Sequence, residues 1–161
     1  MEIRRITARK LTPEAFAPYG QVMRPPAERG RLYFQDALGN GRPDVPACLS
    51  MSRALPLAAL PLRATMLERH EFSSQSFMPL SVARWLVIVA PPAPDGGPDA
   101  ARAEAFVAGP GEGVTYRMGT WHHGMTVLDA PAEFAVFMWR DGSKLDEEFV
   151  DLAEPFDVVV P

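Results

Sequence analysis

The stretch GEGVTYRMGTWHHGMTVL, residues 111–128, decides the fold of this chain. Two short runs rich in apolar, aromatic and β-branched residues, 113–118 and 125–128, stand on either side of a glycine-bounded segment, 119–124. Short runs of this composition between glycines are typical of β-strands joined by turns. We therefore predict a strand, a short connection that carries two adjacent histidines, and a second strand.

The rest of the chain repeats this pattern. Seventeen prolines and twelve glycines divide the 161 residues into short segments. Further strands are predicted over residues 31–35, 48–53, 63–70, 84–90, 103–108 and 133–140. The one helix signal is Thr12-Pro13-Glu14, an N-cap followed by proline and an acid in the first turn, with Gly20 to end the helix. The sequence therefore predicts an all-β (mainly β) sandwich or barrel with a short N-terminal helix.

Length, charge and composition argue against several classes of protein. A single domain over residues 1–161 is expected, because neither side of the proline-rich loop at 91–98 is large enough to fold alone. The formal net charge of −4 and the lack of a basic stripe argue against a nucleic-acid partner. The longest apolar run, 85–90, is far shorter than the roughly 20 residues of a membrane span. Since Cys48 is the only cysteine, no intrachain disulfide is possible, and a cytoplasmic protein is expected.

The first group of candidate site residues is Glu68-Arg69-His70, followed by Gln75. On an extended backbone Glu68 and His70 project from the same face, because side chains alternate along a strand. An acid and an imidazole side by side can share a proton or bind one cation. A partly exposed Glu68–His70 ion pair without a catalytic role is the alternative interpretation.

The second group is Trp121-His122-His123. Adjacent histidines on an extended backbone face opposite ways, so at most one of them enters a given pocket unless a bulge intervenes. By the same alternation His122 shares a face with Thr126. Two histidines that are merely solvated in a loop are the alternative, and the sequence leaves open which of the pair would face a pocket.

Two arginines at the ends of predicted strands are candidates for binding a substrate carboxylate. Arg53 ends one apolar segment and Arg140 ends another. A guanidinium can hold a carboxylate through two parallel hydrogen bonds. Arginines at strand ends are also commonly solvated, which is the alternative for both.

Together these segments resemble a known family. Cupins carry a first motif, His-x-His followed by Glu, and a second motif, Gly-x5-Pro-x-Gly-x2-His-x3-Asn. The chain has Glu68-x-His70-x4-Gln75 at the place of the first motif and Gly111-x5-Arg117-x-Gly119-x2-His122-x3-Thr126 at the place of the second. This altered pattern is similar to that of the ureidoglycolate lyase family of the cupin superfamily. Further elements that resemble that family are Ser52-Arg53-Ala54, Tyr116, Trp121-His122-His123 and Arg140.

The resemblance implies a cupin jelly roll, usually a homodimer, that acts in allantoin (purine) degradation. The implied reaction is the lyase cleavage of ureidoglycolate into glyoxylate and urea. The resemblance also implies a divalent metal, nickel or a similar ion. Its implied ligands are Glu68, His70, Gln75 and His122.

Ureidoglycolate carries a carboxylate, a hydroxyl and a urea nitrogen on one carbon. Its cleavage needs a group that takes the hydroxyl proton, a group that serves the leaving nitrogen and a group that holds the carboxylate. We predict that Glu68 and His70, or a metal that they bind, activate the hydroxyl. One of the adjacent histidines is predicted to serve the leaving group, with Tyr116 or Gln75 as a hydrogen-bonding helper, and Arg53 to hold the carboxylate. The predicted catalytic residues are Glu68, His70, Tyr116, His122 and His123, and the predicted substrate-binding residues are Arg53, Gln75 and Arg140.

Two alternative functions stay open at this point. A cupin enzyme could act on another small ureido or α-hydroxy acid, because pocket shape rather than motif sets the substrate. A non-catalytic cupin that binds a small ligand would show tight binding without turnover.

Overall fold

The computed structural model describes residues 3–161, and Met1 and Glu2 lie outside the described residues. Within that range the chain forms thirteen strands in two sheets, one short α-helix and one 3-10 turn. The helix α1 is Pro13–Phe16, and the 3-10 turn is Ala100–Arg102. The strands are β1 (Arg5–Thr7), β2 (Arg9–Lys10), β3 (Gly20–Met23), β4 (Ala47–Ala54), β5 (Leu62–Arg69), β6 (Gln75–Ser81), β7 (Arg84–Ala90), β8 (Glu104–Ala108), β9 (Gly113–Tyr116), β10 (Trp121–His122), β11 (Thr126–Leu128), β12 (Ala132–Trp139) and β13 (Glu148–Val159).

The two sheets pack face to face. The larger sheet has the strand order β1-β13-β5-β10-β7-β8-β2, with β11 also paired to β7, and the smaller sheet has the order β3-β9-β6-β12-β4. The neighbours are antiparallel apart from the parallel pairs β1–β13 and β2–β8. Large aromatic residues from both sheets and from α1 fill the space between them, namely Phe16, Phe77, Trp85, Phe106, Tyr116 and Phe134. The predicted all-β fold is confirmed.

The strand β7 is buried on both faces. Trp85, Val87 and Val89 pack into the core between the sheets. Leu86 and Ile88 pack into a second apolar cluster on the other face of the larger sheet. An uninterrupted apolar run is typical of a strand that has no solvated face, and this run is the longest in the chain. β7 therefore serves as the central strand against which β8, β10 and β11 pair.

The predicted N-terminal helix is confirmed, and its predicted end is wrong. The Thr12 side chain accepts a hydrogen bond from the Ala15 amide at 3.2 Å, and the helix begins at Pro13. Gly20, predicted to end the helix, is the first residue of β3. A Cβ at Gly20 would lie 1.8 Å from the Thr115 carbonyl oxygen, so the close approach of β9 requires glycine at this position.

Most predicted strands are confirmed to within two residues at each end. Those are the predictions at 48–53, 63–70, 84–90, 103–108, 113–118, 125–128 and 133–140, which correspond to β4, β5, β7, β8, β9, β11 and β12. The strand predicted at 31–35 is wrong, because these mostly exposed residues lie in a long irregular segment between β3 and β4. The predicted loop at 91–98 is confirmed as a connection without strand structure. No helix in the described part of the chain has the length and apolarity to cross a membrane.

Two features of the sheets position the candidate site. In the larger sheet β10 lies between β5 and β7, and His122 is directly opposite Glu68 across the β10–β5 pair. In the smaller sheet Gln75 at the start of β6 is opposite both Tyr116 of β9 and Met138 of β12. These residues therefore lie at one end of the space between the two sheets.

Candidate catalytic and metal site

Glu68, His70 and His122 converge at one end of the sandwich. One ligand atom from each lies within 4.8 Å of the others. Glu68 Oε1 is 3.6 Å from His122 Nε2, and the ring centroids of His70 and His122 are 5.8 Å apart. Side chains alternate along an extended chain, so Glu68 near the end of β5 and His70 directly after β5 lie on the same side. The short strand β10 adds His122 from its neighbouring position. The sequence prediction that these three residues meet agrees with this geometry.

Both histidines of the cluster have one ring nitrogen engaged by the backbone and one without a partner. His70 Nδ1 is 3.1 Å from the Asp146 carbonyl oxygen, and His122 Nδ1 is 2.8 Å from the Thr120 carbonyl oxygen. A carbonyl oxygen only accepts hydrogen bonds, so each Nδ1 is the protonated donor and each neutral ring keeps a lone pair on Nε2. Both Nε2 atoms are buried and have no hydrogen-bond partner in the described chain. Buried polar atoms nearly always have a hydrogen-bond partner, so these two nitrogen atoms are candidates for binding a ligand, an ion or water.

The environment of His122 keeps its ring neutral. The Tyr116 ring stacks on the His122 ring with centroids 4.1 Å apart and planes 12° from parallel. Burial lowers the pKa of His122 to about 3, since a charged imidazolium loses its hydration in this position. Burial also raises the pKa of Tyr116 well above its ordinary value, so its hydroxyl stays protonated. At neutral pH, His122 therefore offers a lone pair rather than a proton.

Burial shifts the pKa of the Glu68 carboxylate in the direction opposite to that of His122. It raises the pKa of Glu68, with Glu147 adding to the effect and His70 opposing it. A carboxylate with a raised pKa exchanges its proton more readily near neutral pH than an ordinary surface glutamate does. The cluster thus combines one carboxylate that can exchange a proton with two imidazole lone pairs.

The donor set of the cluster fits a divalent metal ion. Two imidazole nitrogens and a carboxylate oxygen are ligands that first-row divalent metals accept. The Nδ1–H groups of both histidines are held by carbonyl oxygens, which is the usual outer-shell arrangement of metal-binding histidines. The unpartnered Nε2 atoms of His70 and His122 are the observation that supports this fit.

Comparison with known proteins identifies the family of this chain. The sequence profile of the ureidoglycolate lyase family matches residues 3–159. The chain belongs to the ureidoglycolate lyase family. It is 39% identical over 153 residues to a protein named ureidoglycolate lyase from Mesorhizobium japonicum, with 89% of this chain and 91% of the relative covered. It is 35% identical over 171 residues to a ureidoglycolate lyase of Chelativorans sp. strain BNC1, with 99% of both chains covered.

One solved structure shares the fold of this family member. It is the crystal structure of a dTDP sugar isomerase from Desulfovibrio desulfuricans G20, with a TM-score of 0.50 and 17% sequence identity. The match covers 84% of this chain and 82% of the other. At this identity the likeness concerns the fold alone.

Gln75 lies beside the cluster in this ureidoglycolate lyase family member. It shares a cross-strand row with Tyr116, whose ring stacks on His122. Its side-chain nitrogen is 3.8 Å from the Met138 sulfur, and its side-chain oxygen is buried without a partner. This oxygen is therefore free to accept a hydrogen bond or to add a further ligand atom.

The structure does not bring His123 into the cluster. The amide of His123 donates to the Ile88 carbonyl, and Nδ1 lies 3.0 Å from the Gly124 carbonyl oxygen and 3.2 Å from the Thr126 hydroxyl. Thr126, predicted to share a face with His122, contacts His123 instead, because β10 ends at His122 and the simple alternation stops there. Of the two adjacent histidines, His122 is the one inside the sandwich.

The two candidate arginines have different positions. Arg53 pairs with Glu133 at 3.1 Å and is two-thirds exposed. It is five residues along β4 from Cys48, the cross-strand neighbour of Met138, which is roughly 17 Å at about 3.3 Å per residue. The structure therefore does not bring Arg53 to the cluster within one chain. Arg140 directly follows β12, two residues after Met138 and therefore at the same end of the sheet as Gln75.

Sequence reasoning missed the groups that orient the two histidines. These are the backbone carbonyls of Thr120 and Asp146, and the second of them comes from a segment 76 residues away from His70. A carbonyl has no signature in the sequence, because every residue has one. The one available signal was Asp146 itself, a buried acid in an otherwise exposed segment, and burial is not visible without the fold.

Proposed function

We propose that this chain cleaves ureidoglycolate into glyoxylate and urea in allantoin degradation, with Glu68, His70 and His122 around the reacting carbon. The family membership and the relatives named ureidoglycolate lyase support the reaction. The observation that carries the site assignment is the meeting of a carboxylate and two unpartnered imidazole nitrogens inside the sandwich.

The reaction moves one proton from oxygen to nitrogen. The C–N bond breaks, its electron pair stays on the urea nitrogen, and an oxygen lone pair completes the carbonyl of glyoxylate. We assign to Glu68 the removal of the hydroxyl proton and its return to the departing nitrogen, because burial raises the pKa of this carboxylate. Because His122 is neutral at neutral pH, we assign its lone pair an orienting role instead of the action on the leaving group that the sequence predicted for one of the two histidines.

The residues that would hold a divalent ion are Glu68, His70 and His122, with the Gln75 side-chain oxygen as a further ligand. When bound, such an ion supplies a positive charge that polarises a substrate oxygen. Tyr116 stacks on His122 and fixes the plane of its ring. The buried surroundings of the cluster restrict the access of bulk water to the reacting groups.

Arg140 is the better placed of the two arginines for the substrate carboxylate. It lies at the same end of the smaller sheet as Gln75, and it is exposed with no ion pair in the described chain. An uncommitted guanidinium at the rim of the site can form a two-point bond to a carboxylate. Arg53 would reach a site only from a different position in an assembly, because its own chain holds it against Glu133.

The predicted homodimer and cytoplasmic location are also proposals. The outward face of the smaller sheet carries exposed apolar side chains, with Leu49 66% and Met51 70% exposed on the edge strand β4. Leu49 and Met51 are the cross-strand neighbours of Phe137 and Ala135, which extend the same face. Exposed apolar faces and open sheet edges favour association with another chain.

The proposed cytoplasmic location is supported by the single cysteine, Cys48, which is free.

The decisive experiment is incubation of the purified protein with racemic ureidoglycolate while glyoxylate and urea are measured. We expect equal amounts of both products, loss of activity after dialysis against a chelator if a metal is used, and recovery with added divalent ion. A parallel panel of other ureido and α-hydroxy acids tests the substrate. Tight binding of ureidoglycolate without product, with and without added ion, would contradict the proposal and favour a non-catalytic binding protein.

A further inference from the structure

We propose that Asp146 is a positioning residue that acts on the reaction through His70. It lies in the segment 140–147 that joins β12 of the smaller sheet to β13 of the larger sheet. The segment thus crosses from one sheet to the other at the end of the sandwich where the cluster lies. The side chain of Asp146 is not part of the cluster of Glu68, His70 and His122. Asp146 acts instead on the orientation and the tautomer of the His70 ring.

The main-chain group of Asp146 holds His70. Its carbonyl oxygen is 3.1 Å from His70 Nδ1 and accepts the ring proton. This bond keeps the proton on Nδ1 and therefore keeps the lone pair on Nε2, the atom that is buried without a partner and belongs to the cluster. A free imidazole in water changes between its two tautomers, so the bond selects the one that the site uses.

The side chain of Asp146 holds the carbonyl in place. Asp146 Oδ1 accepts a hydrogen bond from the Phe72 amide at 2.7 Å. Phe72 is two residues after His70, so the main chain and the side chain of Asp146 both bind the same short segment. Asp146 is 7% exposed and is the one buried residue of the range 140–149. Without this side chain, residues 140–149 would lose their buried anchor, and the carbonyl that holds His70 would no longer be fixed.

Arg42 offsets the charge of the buried carboxylate. Its guanidinium is 3.7 Å from Asp146 Oδ2 and 3.6 Å from Asp141 Oδ2, and it lies over the Phe72 ring at 5.7 Å from the ring centroid. The two aspartates therefore face the same cation. Only Asp146 is also bonded to the backbone beside His70, which makes Asp141 a matched control for the loss of a negative charge next to Arg42.

The test uses three variants and the wild-type protein labelled with 15N histidine. The ring nitrogen shifts of His70 report its tautomer, and they are recorded on the full-length protein as purified and after addition of a chelator. We expect wild-type His70 to carry its proton on Nδ1 in both states. Asp146→Ala should give a mixture of tautomers, whereas Asp146→Asn, which keeps an oxygen for the Phe72 amide, and Asp141→Ala should keep the wild-type signature.

The kinetic arm rests on the proposed function. Asp146→Ala should lower the kcat for glyoxylate release about 10- to 100-fold, the usual cost of losing an outer-shell partner, with a smaller change in KM. Asp146→Asn should restore most of the lost rate. If the wild-type protein releases no glyoxylate, the proposed function fails, and the NMR arm still decides the role of Asp146 because it needs no turnover.

Three outcomes would overturn the inference. The first is a mixture of His70 tautomers in the wild-type protein, a result that does not depend on whether any variant folds. The second is an Asp146→Ala protein with the wild-type tautomer and rate. The third is an Asp141→Ala protein with the same losses as Asp146→Ala, which would show a general effect of the charge near Arg42.

Discussion

His122 receives its chemical character from the residues around it. The Tyr116 ring covers one face, the Thr120 carbonyl holds Nδ1, and Glu68 lies 3.6 Å from Nε2. The ring of His123, the next residue in the chain, contacts the Gly124 carbonyl and the Thr126 hydroxyl in the segment that follows β10. Two neighbouring imidazoles of one tripeptide are thus expected to differ strongly in their effect on turnover.

Replacement of each histidine separately tests that difference. His122→Ala removes the lone pair and the stacked ring from the cluster, and we expect kcat/KM to fall about 10²-fold, as for the loss of a group that orients the reacting groups. His123→Ala should stay within a few-fold of the wild type. The measurement is steady-state glyoxylate release, with circular dichroism as the check on folding. Equal losses in both variants would contradict the assignment of His122.

The two arginines allow a similar comparison. Arg140→Ala should raise KM about 10- to 100-fold, while kcat changes less. This factor corresponds to the loss of a charge-assisted hydrogen bond to a carboxylate, which contributes about 1.5–3 kcal/mol. Arg53→Ala, which removes an exposed ion pair to Glu133, should leave KM unchanged. The measurement is the initial rate of glyoxylate release by each variant over a range of substrate concentrations, which gives KM and kcat. A raised KM in Arg53→Ala alone would assign the carboxylate to Arg53 and place it in an assembly of chains.

The sequence predicts the meeting of Glu68 and His70 but not the position of Arg53 in the fold, for a physical reason. Glu68 lies near the end of β5 and His70 directly follows it, so their common side follows from the alternation of side chains along an extended chain. The position of Arg53 depends on the register of β4 against β12, a long-range pairing that the local pattern does not contain. The choice between His122 and His123 depends on where β10 ends.

At the scale of elements, prolines explain why the sequence does not predict the strands β6 and β13. β6 contains Pro79 and β13 contains Pro155, and in both strands the pairing with the neighbour is irregular near the proline. Proline is tolerated in sheets at bulges and edges, so a proline in a sequence argues against a strand, although at these two places a strand forms. The uninterrupted apolar β7 lacks such a signal and is predicted to the residue.

The pairing of β13 with β5 includes an ion pair that makes stability depend on pH. Arg63 binds both oxygens of Asp157, at 2.8 Å and 3.1 Å, and this hydrogen bond, opposed in part by burial, lowers the pKa of the Asp157 carboxyl. A depressed pKa in the folded state stabilises the fold at pH values above the unfolded pKa of about 3.9, and this contribution is lost as the pH falls through the folded pKa.

We therefore expect Asp157→Asn to lower Tm by a few degrees at pH 7, with a difference from the wild type that shrinks as the pH is lowered toward 3. Thermal unfolding at a series of pH values is the measurement. Asp151→Asn, on the same strand, exposed and without an ion pair in the described chain, is the control and should leave Tm unchanged. A difference that stays constant over the whole range would show that the ion pair is not its source.

At the scale of the molecule, the smaller sheet has one face in the core and one face that is largely apolar and partly exposed. Its edge strand β4 pairs with β12 on one side only in the described chain. A monomeric protein that exposes Leu49 and Met51 on such an edge would tend to associate through it. The proposed homodimer buries this face.

A charged substitution in the exposed apolar face should prevent the assembly. We expect the wild-type protein to elute at twice the chain mass of 17.7 kDa in light-scattering chromatography, and the variant Leu49→Asp/Met51→Asp to elute at the mass of one chain. Leu145→Asp, which is also on an exposed leucine but outside both sheets, should remain a dimer. A monomeric wild type, or a dimer that tolerates both aspartates, would contradict this interface.

The stack of Tyr116 on His122 joins the two sheets of the molecule. His122 belongs to the larger sheet and Tyr116 to the smaller sheet, so the contact exists only after the sheets have docked. During refolding from denaturant, far-ultraviolet dichroism would recover as the strands pair, while catalytic competence would return together with the near-ultraviolet signal of packed aromatic rings. A loosely collapsed intermediate of this chain would have β-structure and no enzyme activity.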